Sequence, residues 1–98
     1  MEKKELNYNE MVKKFEDAYN NNKSVIIEFT HEFGGSTVVT EELEISENGN
    51  KLYLIDANNT SIVIDRTYIR RISLSMVDLS EEIKIDLGDN KIKFILCY

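Results

Sequence analysis

The sequence has one cysteine, one histidine, no proline and no tryptophan, and its apolar runs all fall short of the roughly 20 residues that span a bilayer. Cys97 sits next to the end of the chain without a partner for an internal disulfide, which fits a reducing, cytoplasmic setting. The opening MEKKEL runs straight into polar residues with no apolar stretch of a secretory signal, so neither export nor membrane contact is expected. The lack of proline and tryptophan beside free use of Ile, Asn and Lys matches AT-rich coding and carries no physics. Chemical motifs are missing as well: there is no phosphate-binding loop, no zinc-ligand spacing and no nucleophile elbow. Gly34-Gly35 is not followed by the helix that a phosphate-binding loop requires. We therefore expect no catalysis, no metal and no cofactor.

What is present is enough for one domain over residues 1–98. A content of 42% hydrophobic and 31% charged residues is too apolar for a disordered chain and too short for two cores. The net charge of −6 is unevenly placed: residues 1–50 carry eleven acids against five lysines, and residues 51–98 carry seven acids against seven bases. A surface of that sign repels phosphate backbones and attracts basic grooves, so direct nucleic-acid binding is disfavoured and a basic protein partner is favoured.

The first element is a helix over about residues 8–20. Tyr8, Met11, Val12, Phe15, Ala18 and Tyr19 recur at helical spacing along one stripe. Asn7 is placed to cap it, Glu10 to complete a capping box, and Leu6 to staple onto Met11, while Asn20-Asn21-Asn22 ends it. A helix this short is marginal alone, so its stripe must dock on a sheet.

From Lys23 the period becomes two, and antiparallel strands are expected from about 23 to 97. Val25, Ile27, Phe29, His31 and Phe33 share one strand face, with Glu28, Thr30 and Glu32 on the other. A three-residue loop, Gly34 to Ser36, would pair Ile27 with Leu43 and Val25 with Ile45, which burial favours over a register that sets Glu28 beside Glu41; a bulge at Glu41-Glu42 would serve equally. Asn48-Gly49 has the residues of a type I′ turn and predicts Ile45 beside Leu52 and Leu43 beside Leu54. Strands then follow around 62–64, 72–76, 83–87 and 92–96, with turns at Asp56-Asn59 and Gly88-Asn90 and an irregular stretch from Asp65 to Tyr68.

One N-terminal helix, a three-stranded meander, a fourth strand and a short turn of the form IVIDRTYIRRISL into a fifth is an order similar to the SH3-like or Sm-like small barrels. Residues 47–74 also resemble the YolD-like family of small bacterial proteins. The resemblance covers residues 8–76 and leaves the final hairpin outside. It implies a barrel that oligomerises through sheet edges. Sm-type RNA binding asks for a glycine-containing loop before the last strand, and Arg66-Thr67 has no glycine, so RNA binding does not follow. An open, curved sheet beneath the helix would produce the same pattern. The fold class is thus α+β, with one helix packed on a strongly bent antiparallel sheet or on a small barrel of about six or seven strands.

Three functional readings follow. Glu28, Glu32, Glu41, Glu42, Glu44 and Glu47 project from the first hairpin and form a candidate acidic face, either plain solvated surface or an imitation of phosphate spacing that occupies a partner's basic groove. In small size, acidity and absent motifs the chain resembles phage or mobile-element inhibitors of a host nuclease, of the anti-CRISPR type. The alternative is a housekeeping module that binds an anionic ligand through Arg66, Arg70 and Arg71, of which at most two converge if the segment is extended. The third, an enzyme centred on His31, conflicts with Glu28 and Glu32 pointing to the opposite strand face. Tyr53 and Ile55 are the residues expected in a homodimer contact.

Overall fold

The computed structural model describes residues 3–31 and 34–97, and for His31 the backbone alone. Among these residues the chain forms β1 (Lys3–Glu5), α1 (Tyr8–Asn20), β2 (Ser24–His31), β3 (Gly34–Thr40), β4 (Leu43–Asn48), β5 (Lys51–Asp56), β6 (Ser61–Asp65), a 3₁₀ turn at Arg66–Tyr68, β7 (Arg71–Val77), β8 (Ser80–Asp86) and β9 (Lys91–Cys97). All pairings are antiparallel, in a six-stranded sheet of order β1-β7-β8-β9-β2-β3 and a three-stranded sheet β4-β5-β6. The class is α+β, with a helix packed on sheet. No helix among the described residues is long and apolar enough to cross a membrane.

The helix starts where its local chemistry places it. The Asn7 side chain accepts from the Glu10 amide at 2.8 Å, and the Glu10 carboxylate accepts from the Asn7 amide at 3.0 Å. These bonds satisfy amides that the first turn cannot pair internally. At the other end Asn22 takes a left-handed φ of 54°, and the Lys23 amide donates to the Ala18 carbonyl. Met11, Phe15 and Ala18 are buried, as is Leu6 ahead of the cap.

The six-stranded sheet turns one face inward, and the ladder carries apolar rows across it: Leu74, Ile83, Phe94 and Ile27 in one, Ile72, Ile85, Ile92 and Phe29 in the next. The helix lies over the β8-β9 part of this face, where the Phe15 ring meets Phe94 edge-on at 4.9 Å. The three-stranded sheet turns in Leu43, Leu52, Leu54 and Ile64, which join the same core. Two sheets and a helix thus share one apolar centre, and each covers a face that the others would leave wet.

Several expectations need correction. The strands do not close into a barrel, because the second sheet is separate from the first. The single hairpin expected after β2 is divided: His31 pairs with Gly34, so Ile27 lies beside Val38 and Val25 beside Thr40, and neither meets Leu43 or Ile45. Burial of Leu43 is achieved by a change of sheet at Glu41-Glu42, where the Thr40 hydroxyl donates to the Glu42 carbonyl at 2.9 Å. Gly34-Gly35 therefore belongs to β3 and not to a turn. In the next hairpin the loop is Gly49-Asn50, with Asn48 paired to Lys51, Ile45 to Leu54 and Leu43 to Asp56. Gly49 has a φ of +62° and Asn50 a negative one, the sequence of a type II′ turn. The shift is by two residues, so every side chain keeps its face. The strands number nine among the described residues, and β1 is the one that carries no apolar signal.

Candidate functional site

The arginines lie in and just after the 3₁₀ turn. Asp65 ends β6 and its Oδ1 accepts from the Thr67 hydroxyl at 2.7 Å and the Thr67 amide at 3.0 Å. The Thr67 hydroxyl and amide, in that order, hold the Asp65 carboxyl below its usual range. The Arg66 amide donates to the Asn50 carbonyl at 2.7 Å, the Ile69 amide to Arg66 at 3.2 Å, and the Arg70 amide to Asp86 at 2.8 Å. Arg70 and Arg71 still part: Arg70 packs on Gly88 on the β8 side of β7, and Arg71 pairs with Glu5 on β1 at the other side. Arg66, Arg70 and Arg71 all line one cavity of about 230 Å³, together with Glu5, Leu6, Tyr8, Ile69 and Ile72.

Each guanidinium is held by something different. Arg66 stacks over the Tyr8 ring at 4.0 Å, a cation–π contact. Arg71 Nε lies 3.5 Å from Glu5 Oε1, a pair in which both side chains are largely exposed. Arg70 packs on Gly88, whose φ is +93° and where an added Cβ would stand 3.2 Å from the Arg70 guanidinium carbon. Gly88 is therefore needed twice, for its backbone conformation and for the room it leaves. Three arginines and one glutamate thus border the cavity, each guanidinium held by a different partner.

Tyr8 also ties the site to the second sheet, since its hydroxyl donates to Glu47 Oε2 at 3.0 Å. Burial first, then the hydrogen bond and charge of Glu47, push the Tyr8 phenol up from 10.0 to about 12. A raised value means that the folded protein holds the proton more tightly than the unfolded chain does. The resulting stability is complete below pH 10 and is lost as pH rises from 10 to about 12. Ultraviolet titration is expected to show a tyrosine ionising near pH 12, and Tyr8→Phe to remove that step.

Comparison with known proteins finds no matching family model, no matching curated protein and no matching solved structure. The site thus rests on its own geometry. Among the acidic residues singled out in the sequence, Glu28 lies on the outer face of the six-stranded sheet, 3.6 Å from Lys93. Glu44 lies on the outer face of the three-stranded sheet, Glu41 and Glu42 in the passage between sheets, and Glu47 on the side of Leu43 and Ile45, where it binds Tyr8. These five do not share one face. Glu32, Phe33 and the His31 side chain lie outside the described residues. Cys97 is half-buried and Tyr53 and Ile55 are half-buried on the outer face of β5. Among the described residues no group of three His, Cys, Asp or Glu gathers as metal ligands would.

Tyr8, Glu5 and Gly88 were missed as members of this site. Tyr8 belongs to the helix stripe and Glu5 to a strand with no pattern, and both reach the arginines from more than 55 positions away in the chain.

Proposed function

We propose that the protein is a non-catalytic binding module whose Arg66, Arg70 and Arg71 pocket holds an anionic group, a carboxylate or a phosphate, carried by another molecule. The observation behind this reading is that all three arginines of the chain border one cavity of about 230 Å³. Guanidinium groups present planar pairs of donors that match both anions bidentately. The volume is below that of sites for drug-sized ligands, which start near about 300 Å³, and suits a single anionic group better than a whole cofactor. A net charge of −6 on the chain argues against a polyanion as the bearer.

The test is a titration of the isotope-labelled protein with inorganic phosphate and with an acetylated tetraglutamate peptide. Saturable shifts of the Leu6, Ile69 and Ile72 amides are expected, and the stronger of the two probes identifies the anion. Replacing any one arginine by alanine should weaken binding about tenfold or more, the worth of a charge-assisted hydrogen bond. Equal binding by the Arg66→Glu, Arg70→Glu, Arg71→Glu triple variant would dispose of the reading.

A second reading keeps the acidic surface as the contact with a basic partner protein. It is favoured by Glu44 and Glu16, which meet in one shallow cavity beside Tyr19, close in sequence to exposed Glu41 and Glu42. Lysine substitutions at Glu41, Glu42 and Glu44 would abolish binding under this reading and leave the anion titration unchanged.

A further inference from the structure

At the far edge of the six-stranded sheet from the arginine pocket lies β3, and its edge is undefended. Edge strands are ordinarily kept from pairing by charge, brevity or proline. β1, at the opposite edge, is three residues long and consists of Lys3, Lys4 and Glu5. The edges of the second sheet carry Glu44 and Glu47 on β4 and Asp65 on β6. β3 runs for seven residues, Gly-Gly-Ser-Thr-Val-Val-Thr, with no charge, and Val38 and Val39 are 41% and 67% exposed.

An independent feature lies beneath the same strand. Ile27, Phe29, Val38, Leu43, Leu54 and Ile62 line a groove of about 390 Å³ between the inner face of β2-β3 and the three-stranded sheet. Its size is that of a ligand site, and its lining is apolar except at one rim, where the Asp56 carboxylate accepts from the Asn58 and Thr60 amides at 2.9 Å. Main-chain donors and acceptors on an edge beside an apolar groove are the two parts of strand-addition recognition. The edge supplies affinity, and the groove selects every second side chain.

Charge decides the occupant. The groove lining holds a carboxylate and no cation, and Glu41 and Glu42 follow β3 directly. A second copy would set a chain of net charge −6 against another of −6. We propose that β3 is a docking edge for an extended basic segment of a partner protein, which adds as a further strand and lowers its alternate apolar side chains into the groove.

The test is selection of a random ten-residue peptide display library on the full-length protein, followed by hydrogen exchange and anisotropy with the most enriched peptide. Net positive peptides with apolar residues at every second position are expected, with new amide protection confined to residues 34–40. Val38→Lys should weaken binding at least tenfold, and Arg66→Glu should leave it unchanged, which separates this site from the arginine pocket. If Val38→Lys lowers the melting temperature, Ser36→Lys, exposed and on the same face, takes its place. The proposal is overturned by absent enrichment, by enriched peptides that are acidic or lack alternation, or by protection elsewhere. A concentration-dependent dimer protected over residues 34–40 would put a second copy at this edge and overturn it as well.

Discussion

Phe15→Ala is expected to lower the unfolding free energy by about 3–5 kcal/mol, the cost of emptying a phenyl-sized space in a packed core. Phe15 is 1% exposed and Phe94 0%, and their rings meet at 82°. The contact is the centre of the docking between α1 and the β8-β9 part of the sheet. A helix of 13 residues has little stability of its own, so loss of this anchor cannot be made good locally. Small domains are stable by only about 5–15 kcal/mol, so the variant would sit near the folding threshold at moderate temperature. Urea unfolding measures the change. A loss below about 1 kcal/mol, within the range of surface substitutions, would show that the helix does not rest on Phe94. Phe15→Leu should cost distinctly less, because it keeps most of the volume.

The second large effect concerns a buried carboxylate. Glu81 is 5% exposed on the inner face of β8, and Lys14 on the helix reaches it at 2.6 Å. Lys14→Met would leave that buried charge without its Lys14 partner, at a cost of about 2–3 kcal/mol. Lys14→Met with Glu81→Leu should recover most of the loss, since two apolar groups of similar volume need no pairing. The more exposed pairs Lys4–Glu10 and Arg71–Glu5 set the contrast. Breaking either should change stability by less than about 1 kcal/mol. A double-mutant cycle by urea unfolding separates the cases, and a Lys14→Met loss no larger than that of the exposed pairs would contradict a buried, paired Glu81.

Several features were legible because their causes are local. The helix bounds follow from Asn7, Glu10 and the asparagine run, all within a turn of the ends they define. The β8-β9 hairpin follows from the alternation of Ile83, Ile85 and Leu87 and of Ile92, Phe94 and Leu96 on either side of Gly88-Asp89-Asn90. The strand faces of β4 and β5 were right even where the register was off by two, since a shift of two residues preserves the pleat.

Features that depend on partner choice were not legible. Alternation shows which residues face inward but not which sheet they face, so Leu43 and Ile45 fitted a continuous hairpin with β2 as well as they fit a second sheet. β1 is three charged residues whose strand conformation comes from pairing with β7, 70 positions along the chain. Glu81 falls at an apolar position of its strand, where Lys14, from the helix, pairs with it.

By itself the sequence determined the capped helix, the two-residue period from Lys23 onward and the uneven charge, because side-chain size, capping and turn chemistry act over a few residues. The tertiary structure alone decided the division into two sheets, the undefended edge of β3 and the meeting of Arg66 with Tyr8. Each of these results from pairing or packing between distant segments, where several arrangements bury the same residues and the whole core selects among them.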